Sequence, residues 1–319
     1  MNHPADNSEP ATSKRERFLE GLRGVLLPIT TPFSPTEEID TSGLQKNIRT
    51  WNTSGITGYV VLGSTGERVN LEERECQQVI ETARAEVPQE LSFIVGAGQE
   101  SRRGTVNEIK RAAAAGADAV LVITPHFYRA AISQQALVNH YRAVADAAPV
   151  PVLLYSMPDL TGVRIEPTTA AELSTHPNIF GIKDSSAEVS KLKDTIQLTP
   201  ANFAVLTGNG TVLYEALIAG ACGGILAVGC VATKCCLEIF RLVGEGKNEE
   251  AVALQERLTP LALTVTKRYG IGGLKAAMDM LNLAGGATRL PLEPASTSAR
   301  NEIAALLESV YGAATVELN

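Results

Sequence analysis

The segment IFGIKDSS at 179–186 carries an apolar run into Lys183, followed by Asp184, Ser185 and Ser186. Lysine is among the residues least often fully buried. A lysine that closes an apolar strand therefore either reaches solvent, paired with Asp184 or another carboxylate, or is desolvated for use. In the second case burial penalises the ammonium form and makes a neutral amine available. A neutral amine adds to a ketone and gives a Schiff base, and the resulting iminium is an electron sink beside which a carbon–carbon bond can be made or broken. Such chemistry needs protons moved at the carbinolamine and at the enamine. Tyr155, in the run PVLLYSMP, can move them through its phenol, and Ser64 can link that phenol to solvent or to a substrate carboxylate. The turn GSTGE at 63–67 reads as the opening of a helix, where free amides and the helix dipole would hold a carboxylate. Together these groups ask for a 2-oxo acid, its carboxylate on the turn and its ketone at Lys183.

Elements able to bring these residues together recur along the chain. Eight β-rich runs lie at 25–33, 57–63, 92–98, 119–125, 151–158, 179–185, 203–208 and 224–228, and they are continuously apolar, as strands buried on both faces should be. Amphipathic helical stretches fall between them, for example at 41–54, 71–87, 102–115, 133–148 and 167–175. This alternation predicts βαβ units and a parallel sheet, closed as a (β/α)8 TIM barrel over 21–230. An open doubly wound sheet is the weaker alternative, because no GxGxxG opens the first helix. After 230 the strands stop, and helices at 234–243, 249–265, 274–282 and 298–310 predict a C-terminal helical domain over 231–319. Residues 1–20 read as a flexible arm ending in a short helix. In such a barrel the site lies at the C-terminal ends of the strands. Those ends offer hydroxyls, Lys183, Tyr155, the His126-Phe127-Tyr128-Arg129 stretch and Asn209, with no cluster of carboxylates. Metal-dependent hydrolysis and glycosidase chemistry are disfavoured on that ground.

The totals narrow the class further. The 319 residues carry 28 basic and 35 acidic side chains, a net charge of −7, and no basic stripe, so nucleic acid is a poor partner. The five cysteines and four histidines show no zinc spacing. Cys235 and Cys236 read as buried apolar positions. The polar start MNHPADNSEPATSKRERFLE has no signal-peptide core, and no apolar run approaches a membrane span, so a reducing, cytoplasmic location is expected.

Three motifs in order, GSTGE at 63–67, LYSMPDLTG at 154–162 and GIKDSS at 181–186, resemble those of the pyruvate-dependent class I aldolases, the family of dihydrodipicolinate synthase, N-acetylneuraminate lyase and 4-hydroxy-2-oxoglutarate aldolase. The resemblance covers about 22–312. It implies a barrel with a C-terminal helical domain, a homotetramer built as a dimer of dimers, and no organic or metal cofactor. By position it implies that Lys183 forms the Schiff base, Tyr155 transfers protons, and Ser64 is the relay hydroxyl. It also implies that Ser64 and Thr65 bind the 2-oxo acid carboxylate and that Ile225 brings a backbone carbonyl near the site. Two departures bear on substrate. Dihydrodipicolinate synthases carry an arginine at the position of Leu160, which holds the carboxylate of the aldehyde substrate. They also place a neighbouring subunit's tyrosine at the position of Phe127. Stretches such as HPNIFGIKDS at 176–185 and TKRYGIGGLKAAMD at 266–279 look closer to 4-hydroxy-2-oxoglutarate aldolases, although that group usually has asparagine at Thr65. The reading is a lyase that cleaves a 4-hydroxy-2-oxo acid to pyruvate and an aldehyde. The rivals are dihydrodipicolinate synthase and a 2-oxo acid binding protein with little turnover. Among other residues, His126 suggests a structural or subunit-contact role, Arg129 a place at the mouth or a surface cap, and Asn209 a turn. Arg164 is a weak replacement for the missing arginine.

Overall fold

The structure, a computed structural model, describes residues 11–311. Eight strands form one closed parallel barrel in sequence order, β1 to β8. They are β1 Gly24–Pro28, β2 Gly58–Val61, β3 Ser92–Ala97, β4 Ala119–Ile123, β5 Val152–Ser156, β6 Ile179–Asp184, β7 Ala204–Thr207 and β8 Gly223–Ile225. The helices are α1 Ala11–Gly21, α2 Thr41–Trp51, α3 Glu73–Glu86, α4 Arg102–Ala114, α5 Gln134–Ala147, α6 Pro158–Thr161, α7 Pro167–Ser174, α8 Val189–Leu198, α9 Leu213–Ile218, α10 Thr233–Gly244, α11 Asn248–Leu263, α12 Gly270–Met280 and α13 Thr297–Tyr311. The barrel helices start where side chains satisfy the first free amides: Asp40 caps α2, Ser101 caps α4 and Ser133 caps α5.

Each strand is buried on both faces, which explains its continuous apolar sequence. One face fills the barrel with Leu26, Val60, Ile94, Leu121, Leu153, Tyr155, Leu206 and Ile225. The other, with residues such as Val25, Leu27, Val61, Val95, Val122, Leu154 and Ile182, packs against the helices. β6 breaks this alternation. Val152 of β5 pairs with Ile179, yet Leu153 pairs with Gly181, so Phe180 is an extra residue. Phe180 points into the barrel and Ile182 outward, and Lys183 turns inward again beside Tyr155. Strict alternation from Phe180 would have put Lys183 among the helices; the bulge re-aims it, as bulges beside sites do. Gly181 permits this because a side chain there would meet the Ala204 carbonyl at 2.4 Å.

The two ends of the barrel differ. At the N-terminal end α1 acts as a plug. Its Phe18 packs edge-on to Phe180 with ring centroids 5.9 Å apart, and Arg15 lies 4.0 Å over the same ring while donating to the Pro177 carbonyl at 2.7 Å. The helix expected at the end of the arm thus begins at Ala11 and belongs to the barrel floor, while the first ten positions of the arm lie outside the described residues. The C-terminal end is open. α10 packs against β1 and α9 and so completes the ring of barrel helices, one helix beyond residue 230. α11, α12 and α13 pack on one another beside it. All five cysteines are free, with Cys235 and Cys236 buried, and burial raises the Cys235 thiol to about 11. Among the described residues no helix is long and apolar enough to cross a membrane.

Candidate active site

A cavity of about 660 Å³ opens at the C-terminal end of the barrel. Ser64, Thr65, Tyr155, Lys183 and Ile225 all line it, so every residue selected from the sequence meets in one place. Lys183 and Tyr155 are paired in register on β6 and β5, and both side chains are buried. The Lys183 Nζ lies 4.3 Å from the centroid of the Tyr155 ring. The Tyr155 hydroxyl and Ser64 Oγ are 3.0 Å apart. Asp184, the alternative partner of Lys183, points elsewhere and its carboxylate accepts from the Ser186 amide at 2.7 Å. No carboxylate forms an ion pair with Lys183 among the described residues. Burial pushes the Tyr155 phenol up, but the Lys183 charge, the hydrogen bond with Ser64 and the nearby Ser185 hydroxyl outweigh it and bring the phenol below its usual range. Gly208 gives the lysine its room, since a Cβ there would meet Lys183 Cε at 2.6 Å and Ser185 Oγ at 2.0 Å.

The turn after β2 differs from its sequence reading. It does not open an α-helix: it leads into a three-residue 3-10 turn, Arg68–Asn70, and α3 starts only at Glu73. A helix dipole therefore contributes nothing at 63–67, and carboxylate binding there depends on individual donors. The Gly66 and Glu67 amides bond back to the Gly63 and Ser64 carbonyls within the turn. Ser64 and Thr65 line the cavity, and their amides are not among those that bond back within the turn. Leu62 and Glu67 flank the turn with φ of 56° each, a left-handed backbone that costs about 1–3 kcal/mol outside glycine and persists only where surroundings impose it. The surroundings here include Lys275 of α12, whose Nζ meets Glu67 Oε1 at 2.6 Å with both side chains buried, and Thr31 Oγ1, which donates to the Gly66 carbonyl at 2.8 Å. The appended helices thereby hold the turn.

Ser185 was passed over in the sequence although it stands in GIKDSS. Its hydroxyl is buried in the cavity wall, lies close enough to Tyr155 to favour the phenolate, and meets no partner at hydrogen-bonding geometry. The signal that could have found it is its period-two spacing from Lys183 at a strand end. Other expectations sort by position. Asn209 lines the cavity but its side chain accepts from the Thr211 amide at 3.0 Å, the work of a turn residue. His126 pairs with Glu100 at 3.3 Å at the cavity edge. Arg129 is exposed, and Arg164 pairs with Glu188; neither lines the cavity, so neither stands in for the arginine absent at Leu160. Leu160 itself is at the mouth and 64% exposed. Phe127 and Tyr128 project from the β4 loop, 74% and 71% exposed, their rings edge-on at 5.1 Å.

A closed barrel whose mouth joins a buried lysine, a phenol and the Gly63–Glu67 turn suits a lyase of the class I aldolase type. The comparisons narrow this. Residues 21–310 match the model of the dihydrodipicolinate synthetase family, and the chain belongs to that family. A 4-hydroxy-tetrahydrodipicolinate synthase of Methanothrix thermoacetophila is 35% identical over 278 residues, covering 86% of this chain and 92% of the relative. A probable mitochondrial 4-hydroxy-2-oxoglutarate aldolase of Emericella nidulans is 33% identical over 291 residues, covering 90% and 93%. The solved dihydrodipicolinate synthase of Thermotoga maritima superposes with a TM-score of 0.86 at 29% identity, covering 91% of this chain and 98% of that one. The similar relatives mostly carry the synthase name, so the substrate has to be argued from the site.

Proposed function

We propose that this protein reversibly cleaves a 4-hydroxy-2-oxo acid such as 4-hydroxy-2-oxoglutarate to pyruvate and an aldehyde, through a Schiff base on Lys183. The carrying observation is a buried lysine with no carboxylate partner among the described residues, set against a phenol that is already hydrogen-bonded to Ser64. Neutral Lys183 adds to the C2 ketone, the carbinolamine hydroxyl takes up a proton, and water leaves, giving an iminium. Tyr155 takes the proton of the C4 hydroxyl, the C3–C4 bond breaks, and its electron pair passes into the iminium as an enamine. The aldehyde departs, which for 4-hydroxy-2-oxoglutarate is glyoxylate. The enamine is protonated at C3, and water hydrolyses the imine to release pyruvate and the free amine. Ser64 and Thr65 hold the C1 carboxylate, Ile225 contributes its backbone carbonyl at the wall, and Ser64 links the phenol to that carboxylate. No cofactor or metal enters any step.

Leucine at 160 argues against dihydrodipicolinate synthase, because an exposed apolar side chain offers no cation to an aldehyde's carboxylate. The names of most relatives favour that second reading. Pyruvate plus borohydride followed by peptide mapping tests the Schiff base: the reduced adduct belongs on Lys183, and an adduct elsewhere or none ends the mechanism. Release of pyruvate and glyoxylate from 4-hydroxy-2-oxoglutarate, against condensation of pyruvate with aspartate semialdehyde, separates the two substrates. An adduct without turnover on either would make the chain a 2-oxo acid binder. The proposed setting is the cytoplasm. The proposed assembly is a homotetramer, to which the exposed Phe127–Tyr128 pair suits a subunit contact; sedimentation of the chain measures it.

A further inference from the structure

The cavity mouth carries an ion pair that the proposed chemistry leaves without a task. Lys267 Nζ and Asp159 Oδ2 are 2.9 Å apart, their side chains 53% and 51% exposed, and both residues line the cavity that holds Lys183. Asp159 stands in α6, directly after the tyrosine strand. Lys267 stands across the mouth in the turn between α11 and α12. We propose that Lys267 is the specificity-determining cation of this site, binding the distal carboxylate of a dicarboxylic 4-hydroxy-2-oxo acid, with Asp159 as its resting partner. This rests on the reading above and names the substrate class within it.

Three observations carry it. First, the other cations on the cavity wall are occupied. Lys183 is assigned to the imine, and Arg68 is mostly buried, pairing with Glu108 at 2.9 Å and donating to the Gly98 carbonyl at 2.5 Å. Second, the exposed pair is the kind that solvent screens, so a substrate carboxylate can replace Asp159 without leaving a buried charge alone. A lysine ammonium has three donors, which lets it accept the substrate before Asp159 has moved off. Third, the backbone at Lys267 is irregular. Thr264–Arg268 is a π-turn, closed by the Tyr269 amide on the Thr264 carbonyl at 2.9 Å, that interrupts two regular helices above the site. Such turns insert one residue into a helix and concentrate where side chains are re-aimed for use.

The test compares two substrates in the intact protein: 4-hydroxy-2-oxoglutarate and 4-hydroxy-2-oxopentanoate, in which a methyl replaces the distal carboxylate. Lys267→Met should lower the kcat/KM preference for the dicarboxylate about tenfold or more, through KM, because a charge-assisted contact is lost and Asp159 is left to repel the substrate. Asp159→Asn should hold or strengthen the preference. Equal losses on both substrates, or an unchanged preference in Lys267→Met, overturn the proposal. The borohydride-trapped pyruvate adduct is measured in parallel. If the wild type forms none, the Schiff-base reading falls, and calorimetric binding of 2-oxoglutarate against 2-oxobutanoate to wild type and Lys267→Met still decides the role of Lys267 by the same ratio.

Discussion

Among the described residues two lysines are almost fully buried, and they occupy contrasting surroundings. Lys183 and Lys275 are 4% and 1% exposed. Each has an aromatic ring beneath its Nζ, Tyr155 at 4.3 Å and Phe33 at 4.4 Å. Lys275 is also bonded to Glu67 at 2.6 Å and to the Ala287 carbonyl at 2.6 Å, deep between α12 and the turn. Among the described residues no carboxylate pairs with Lys183, which faces an open cavity. Burial alone therefore does not mark a lysine for chemistry. An amine bonded to a carboxylate and a carbonyl is structural, and one that lacks a counter-charge and meets solvent-accessible space is available to react.

Exchanging each lysine for methionine separates the two roles most sharply. Lys183→Met removes the proposed nucleophile, so turnover should fall by about 10⁴-fold or more, the scale seen when a nucleophile is deleted. Its thermal midpoint should stay level or rise, because an amine without a carboxylate partner leaves the interior. Activity assays and a thermal melt on one preparation check both halves. Turnover within tenfold of wild type would remove Lys183 from the mechanism.

Lys275→Met should do the reverse. Breaking a buried pair leaves Glu67 uncompensated and costs about 3–5 kcal/mol, read from urea unfolding at fixed protein concentration. The double variant Lys275→Met/Glu67→Gln should recover part of that loss, since no lone charge is left buried. Because Glu67 ends the turn in a left-handed conformation, KM for pyruvate should also rise in the single variant. A single variant as stable as wild type would show that the pair does not hold the turn.

The same comparison shows what the sequence discloses. The eight strands and the helices between them were legible because continuous apolar runs and 3.6-residue periodicity are local properties. Lys183, Tyr155 and Ser64 were legible because strand ends at one rim of a barrel converge by topology alone. The inward aim of Lys183 was not. It depends on an extra residue at Phe180, and counting by twos through IFGIK gives the wrong face. The turn at 63–67 misled for a related reason: its small residues suit a helix start, but Glu67 is held left-handed by a lysine more than two hundred positions away. Lys267 and Asp159 stayed hidden because their meeting depends on how the appended helices lean over the mouth, which no local pattern encodes.

Tyr155 lies between the two lysines in importance. Tyr155→Phe keeps the ring under Lys183 and removes only the proton carrier, so turnover should drop about 10²-fold or more while the pyruvate adduct on Lys183 still forms. Rapid-quench trapping with borohydride measures adduct formation apart from steady-state release. Equal slowing of both would place the phenol at imine formation alone, and no slowing of either would take it out of the reaction.

The smallest effect tests the wall that tunes this phenol. Burial works against the phenolate, and Lys183, Ser64 and Ser185 work for it with the larger total, so the phenol titrates below its usual 10. If the phenolate receives the C4 proton, kcat/KM rises with pH through that depressed value. Ser185→Ala removes one stabilising contact, so the phenol's pKa climbs back toward 10 and the rising limb moves to higher pH. The variant should be a few-fold slower near neutrality and approach wild type at the top of the limb. A loss of equal size at every pH would instead make the Ser185 hydroxyl a contact to substrate, leaving the phenol to Lys183 and Ser64.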